Sequence, residues 1–158
     1  MAFEQTNAVL RSSEEFNLVA YSRHQTRQSP FINSSIDVIK DFVLDYMHLV
    51  LLGTVKRLLS CKISSRQVQE ISDKLCNFKN KIPTELARQP RALDELKRWK
   101  ATEFRQFLLY TGPVVLKGSI SENLYIYFLT LSVAMRMFLE SNDEIRNHNK
   151  LYAKELLD

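Results

Sequence analysis

Glycine and proline are scarce in this 158-residue chain, with 3 and 4 copies. That scarcity excludes a collagen-like or linker-like polymer and leaves few intrinsic helix breakers. The two cysteines, Cys61 and Cys76, can make at most one bridge or half of a zinc site. No second CxxC or HxxxH pair accompanies them, so they read as reduced thiols of an intracellular protein. Long apolar runs are also missing. The most apolar stretch, Leu124 to Leu139, is broken by Thr130, Ser132 and Arg136 and falls short of the ~18 apolar residues of a membrane span. Met1 to Leu10 carries an acid and polar side chains where a secretory signal needs a basic start and an apolar run. Neither secretion nor a membrane partner is supported. Charge of one sign is not in excess: 22 Lys and Arg against 18 Asp and Glu leave a net +4, which permits an anionic partner without requiring one. A Gly-rich phosphate loop, a GxSxG elbow, an HExxH pair and zinc-finger spacing are all absent.

What is present is an ordinary globular composition, 45% hydrophobic and 25% charged, which excludes disorder as the main state. Residues 1–35 read as an irregular arm, polar with isolated apolar positions and a Ser29-Pro30 break. Residues 36–158 read as a single helical domain. From Ile36 to Leu59 nearly every turn is apolar, which predicts a helix buried on most sides, with Asp41 to Leu44 equally compatible with an extended lead-in. Ser64 and Gln67 form a capping-box pattern ahead of Val68, Ile71, Leu75 and Phe78, predicting an amphipathic helix to about Phe78. A third helix is predicted from Leu93 through Trp99, Phe104 and Leu108 until Gly112-Pro113 interrupts it. Ser121 would cap a fourth, whose apolar residues surround its axis and mark it as the central core element. A last helix would place Ile145, His148, Tyr152 and Leu156 on one side.

Three groups of residues could carry chemistry. On a helical wheel Glu103 projects into an aromatic arc of Trp99, Phe107 and Tyr110, where a carboxylate loses solvation and needs a raised pKa, a basic partner or a metal cation. The competing reading is that it reaches the rim and pairs with Lys100 or a neighbouring arginine. Asp45 and His48, spaced i, i+3 just before the apolar run Leu49 to Leu52, could hold each other or share a cation. With Asp37 and Asp41 they would form one stripe if the segment were helical throughout. Basic residues concentrate at Arg88, Arg91, Lys97, Arg98, Lys100 and Arg105, a surface able to contact phosphates with Trp99 as a stacking ring, or simply a solvated helix face.

The segments Asp45-Tyr-Met-His48-Leu-Val-Leu-Leu-Gly53 and Trp99-Lys-Ala-Thr-Glu103-Phe-Arg-Gln-Phe-Leu-Leu-Tyr-Thr-Gly-Pro113, within Ile82 to Gly118, resemble the C-terminal part of transposases of the CACTA (EnSpm-like) group. The likeness spans the chain from about Arg11. It implies the helical flank of an RNase H-like nuclease core with most of the sheet absent, and therefore a mostly α protein with four or five helices around Leu124 to Leu139. It also implies that Asp45 and His48 match a DxxH motif and that Glu103 stands as the third acid of a triad holding two divalent cations, Mg or Mn, in an intact relative. The family's first two catalytic aspartates would lie upstream of Met1, and Asp37 and Asp41 do not match them. Glu103 would then hold metal only if the missing acids were supplied, and no cofactor is expected for the chain alone. Val43 stands where relatives would place a helix-starting proline.

The expectation that follows is a transposase-derived, catalytically inactive protein, intracellular and nuclear, associating with DNA through Arg88, Arg91, Lys97, Arg98 and Lys100, or with full-length transposase or itself. A helical protein-interaction module without a nucleic-acid role, and a decayed element without function, are the alternatives.

Overall fold

The computed structural model of the chain describes residues 9, 11–23, 25–41, 45–86 and 88–157. These are mostly helical and include no β-strand. Val43, residues 1–8 and part of the lead-in Asp41 to Leu44 lie outside the described residues. The chain divides into two compact units, Met1–Leu44 and Asp45–Asp158.

In the first unit the one helix among the described residues is α1 (Ser13–Asn17), capped by the Ser12 hydroxyl, which accepts from the Glu15 amide. None of the unit's described residues is buried, so side-chain hydrogen bonds order it instead of an apolar core. Ser13 Oγ lies 2.6 Å from Asp37 Oδ1 and 2.7 Å from Asp37 Oδ2, and Gln25 donates to the Phe16 carbonyl at 2.8 Å. Residues 38–41 form turns. The helix predicted from Ile36 is not found over residues 38–41: Asp37 caps a single turn by accepting from the amides of Ile39 and Lys40, and the Asp41 amide closes it on the Asp37 carbonyl at 2.8 Å.

The second unit begins with a wide, π-helical segment, Met47–Val55, that runs directly into α2 (Lys56–Cys61). A broad turn requires that little fill its crowded side, and Gly53 meets that need: a Cβ there would lie 2.8 Å from the His48 carbonyl oxygen. Next, α3 (Ser65–Asn77) starts at the expected box, with the Ser64 amide donating to Gln67 Oε1 at 2.9 Å, and buries Ile71 and Leu75. A strap with no α-helix among its described residues carries the chain past Pro83 and Pro90 to a 3₁₀ segment, Leu93–Arg98. The predicted third helix is split here: Trp99 and Lys100 are extended, and α4 (Ala101–Gln106) starts only after them.

The predicted interruption at Gly112-Pro113 does not occur. A second π-helical segment, Phe107–Thr111, follows α4 and leads into α5 (Gly112–Val115), with Pro113 inside the continuous spiral. Proline supplies no amide, so in an ordinary turn it orphans the Leu109 carbonyl, and in the five-residue register that joins Gly112 N–H to Phe107 O it orphans the Leu108 carbonyl. Both are taken up from another helix. Ser132 Oγ donates to Leu108 O at 2.7 Å, and the Arg136 guanidinium donates to Leu109 O. Ser132 and Arg136 sit four residues apart, on one face of α6 (Glu122–Phe138). Tyr125, also on α6, donates its hydroxyl to the Pro113 carbonyl at 2.8 Å.

The core gathers around α4 to α5 and not around α6, which corrects the expected centre. Phe104, Leu108, Leu116, Val55, Ile71 and Leu75 are fully buried there. Trp99 packs against Phe104 and Phe107 at ring separations of 5.4 and 5.7 Å, and Phe107 meets Phe128 edge-on at 5.8 Å. Only one flank of α6 enters this core, through Phe128 and Met135, while Ile126 and Tyr127 are exposed. Helix α7 (Asp143–Glu155), capped by Asn142, packs on α6 through Ala153, while Ile145, His148 and Tyr152 of the predicted inner side face solvent. Of the four residues that apolar spacing placed on the inner side only Leu156 is half-buried, the covered face running instead through Ala153.

Candidate functional site

Glu103 is the third residue of α4 and is 7% exposed. Its two oxygens are both engaged. Arg91 donates from Nε to Oε1 at 2.6 Å and from Nη2 to Oε2 at 2.9 Å, and the Lys100 amide donates to Oε2 at 2.7 Å. The last contact caps α4, which is why an acid suits this position. Arg91 is itself held on three sides, reaching Glu95 at 3.1 Å and the Arg98 carbonyl at 2.9 Å. Burial pushes the Glu103 carboxyl upward, but the Arg91 hydrogen bonds, the Lys100 amide and the charges of Arg91 and Arg88 outweigh it and hold the group below its ordinary value. Of the two readings open to the sequence, this geometry is that of a neighbouring arginine. Glu103 is buried as expected, but Trp99 precedes the helix and shares no helical face with it; Trp99, Phe107 and Glu103 line one water-sized cavity of about 10 Å³.

Asp45 and His48 are brought together. Asp45 Oδ2 contacts His48 Nδ1, and Asp45 Oδ1 accepts from the Met47 amide at 2.8 Å, so the acid caps the first turn of the wide helix. Hydrogen bonding to His48 and to Met47 keeps the Asp45 carboxyl below its usual range. The pair is exposed, 54% for Asp45 and 68% for His48, and not in the dry setting that the apolar run suggested: of that run only Leu51 is buried. Asp37 and Asp41 belong to the first unit, where Asp41 accepts from the Asp37 amide at 2.7 Å. Among the described residues no hydrogen bond or ion pair links Asp45 or His48 to Glu103.

The basic residues part company. Arg91 is consumed by Glu103 and Glu95, whereas Arg88, Lys97, Arg98 and Lys100 are exposed and reach no carboxylate within ion-pair distance among the described residues. Trp99 is 6% exposed with its indole N–H on the Ala92 carbonyl at 3.3 Å, so it offers no stacking face. Arg105, one of the basic residues named from the sequence, and Arg136, which was not among them, each lie against a tyrosine. Arg105 lies beside Tyr46, whose hydroxyl pKa is raised by burial and partly lowered by the Arg105 charge. Arg136 lies 5.5 Å from the centre of the Tyr110 ring. A signal for Arg136 existed, since it is the single charged residue between Leu124 and Leu139.

The arrangement does not fit a divalent cation. Two-metal chemistry needs several open carboxylates, yet Glu103 already serves Arg91, and no three His, Cys, Asp or Glu side chains converge at metal-binding range among the described residues. No helix among them is long and apolar enough to cross a membrane. No family model, curated protein or solved structure matches the chain.

Proposed function

We propose that this chain is a transposase-derived helical protein of the CACTA type that associates with DNA, or with an intact transposase, and does not cut DNA by itself. The observation that carries the reading is the engagement of Glu103. The residue that the family likeness would assign to metal binding has both carboxylate oxygens committed to Arg91 and to the cap of α4, so it acts as a structural strut. The exposed arginines and lysines around it support contact with phosphates.

The test is direct. Purified chain incubated with supercoiled DNA and Mg²⁺ or Mn²⁺ is expected to leave the DNA intact while retarding it in gels, with affinity falling as salt rises. Metal-dependent nicking that disappears in Glu103→Ala overturns the proposal. A second reading, a helical protein-interaction module, is favoured by the exposed apolar residues Ile126, Tyr127, Leu151 and Tyr152; DNA binding that is undetectable at low salt selects it.

A further inference from the structure

Tyr110 stands at the junction of three surface depressions. One is an apolar groove of about 410 Å³ between Phe78, Ile82, Pro83, Leu86, Tyr110 and Val114, with Lys81 and Glu85 on its rim. The second, of about 130 Å³, runs from Tyr110 past Arg88, Thr102, Arg105 and Gln106. The third, of about 320 Å³, joins Tyr110 to Arg105, Arg136 and Glu140. Tyr110 is 47% exposed. Around it, four cationic side chains (Lys81, Arg88, Arg105, Arg136) meet two carboxylates, and one of those carboxylates, Glu140, already accepts from Ser141 and the Asn142 amide in the turn between α6 and α7.

We infer that this junction is a binding site for single-stranded nucleic acid, with one base stacked at Tyr110 over the apolar groove and its flanking phosphates on Arg88, Arg105 and Arg136. The inference rests on the DNA-associating reading above and names the strand state and the residues. Three features select this occupant. An anionic chain matches the cationic excess. A planar apolar ligand matches a groove that a half-exposed aromatic ring closes at one side. A base can reach that ring only when it is unstacked from a duplex, which selects a single strand over double-stranded DNA. Arg136 is fixed for the task by its bond to the Leu109 carbonyl, one residue before Tyr110, so ring and guanidinium move together.

The experiment is fluorescence anisotropy of a labelled dT15 strand and of the matching duplex, with the full chain at several salt concentrations. Tighter binding of the strand than of the duplex is expected, with about tenfold weaker strand binding in Tyr110→Ala and near-native binding in Tyr110→Phe, which keeps the stacking face. Arg88→Gln and Arg105→Gln are each expected to reduce the salt slope by about 0.7. Thermal melting of every variant separates lost binding from lost fold. Duplex bound as tightly as the strand, or strand binding unchanged in a folded Tyr110→Ala, overturns the inference while leaving DNA association standing. Absence of binding to either form overturns both.

Discussion

Arg91 and Glu103 are joined edge to edge, Nε to Oε1 at 2.6 Å and Nη2 to Oε2 at 2.9 Å. The fork of the guanidinium matches the carboxylate so that one contact fixes both position and plane. Because Arg91 also bonds the Arg98 carbonyl, the pair ties the end of the strap to the 3₁₀ segment and to the start of α4.

Removing the acid therefore costs two things, a helix cap and the partner of a partly buried cation. Glu103→Ala is expected to destabilise the second unit by about 2 kcal/mol, and Arg91→Lys, which keeps the charge but not the fork, by about 1 kcal/mol. Urea unfolding at pH 7 measures both. Equal stability of wild type and Glu103→Ala would mean that the pair is ornamental.

The same pair sets an acid response. The folded pKa of Glu103 lies below its ordinary 4.5, so its contribution is complete above that value and is lost as pH falls from there through the lower folded value. The difference in urea midpoint between wild type and Glu103→Gln should thus be largest near neutrality and shrink below about pH 4.5. A difference that grows on acidification contradicts the assignment.

Gly112 has no room for a side chain. A Cβ there would lie 2.5 Å from Phe128 Cζ and 2.6 Å from the Phe107 carbonyl oxygen. Gly112→Ala should lower stability by about 2 to 3 kcal/mol despite the better helix propensity of alanine. A melting temperature at or above that of wild type would show that Phe128 yields easily.

Ser132 is 2% exposed and its hydroxyl bonds the Leu108 carbonyl. Ser132→Ala leaves that oxygen, next to a proline-interrupted turn, with one donor fewer, and should cost about 1 to 2 kcal/mol. Guanidinium denaturation reads the loss. An unchanged midpoint would show that the wide turn closes on its own.

Cys61 and Cys76 are both free and exposed. Both should titrate with a thiol reagent in the native protein as fast as in denaturant. A single reactive thiol would place one of them under cover.

Much of the α-helical content was legible because its causes are local. The Ser64–Gln67 box and the Val68, Ile71, Leu75 spacing settled α3 within a few residues, and the observed start at Ser65 agrees. Ser121 likewise precedes α6, although its hydroxyl makes no cap bond. Glu103 was legible as a buried carboxylate from its neighbours, and an arginine was among the partners that burial demands; its identity, Arg91, was not, since the strap between α3 and α4 has no period to place it.

The remainder depended on partners distant in the chain. Pro113 ends a helix by every local rule, yet α6 returns 24 and 27 residues later with the hydroxyl and guanidinium that the orphaned carbonyls require. Which side of α7 is covered depended on Ala153 meeting α6, and apolar spacing cannot weigh a small residue against Ile145 and Tyr152. Chain-local preference chooses where helices begin; the pairing of groups that cannot stay unbonded away from water chooses how far they run and which faces they hide.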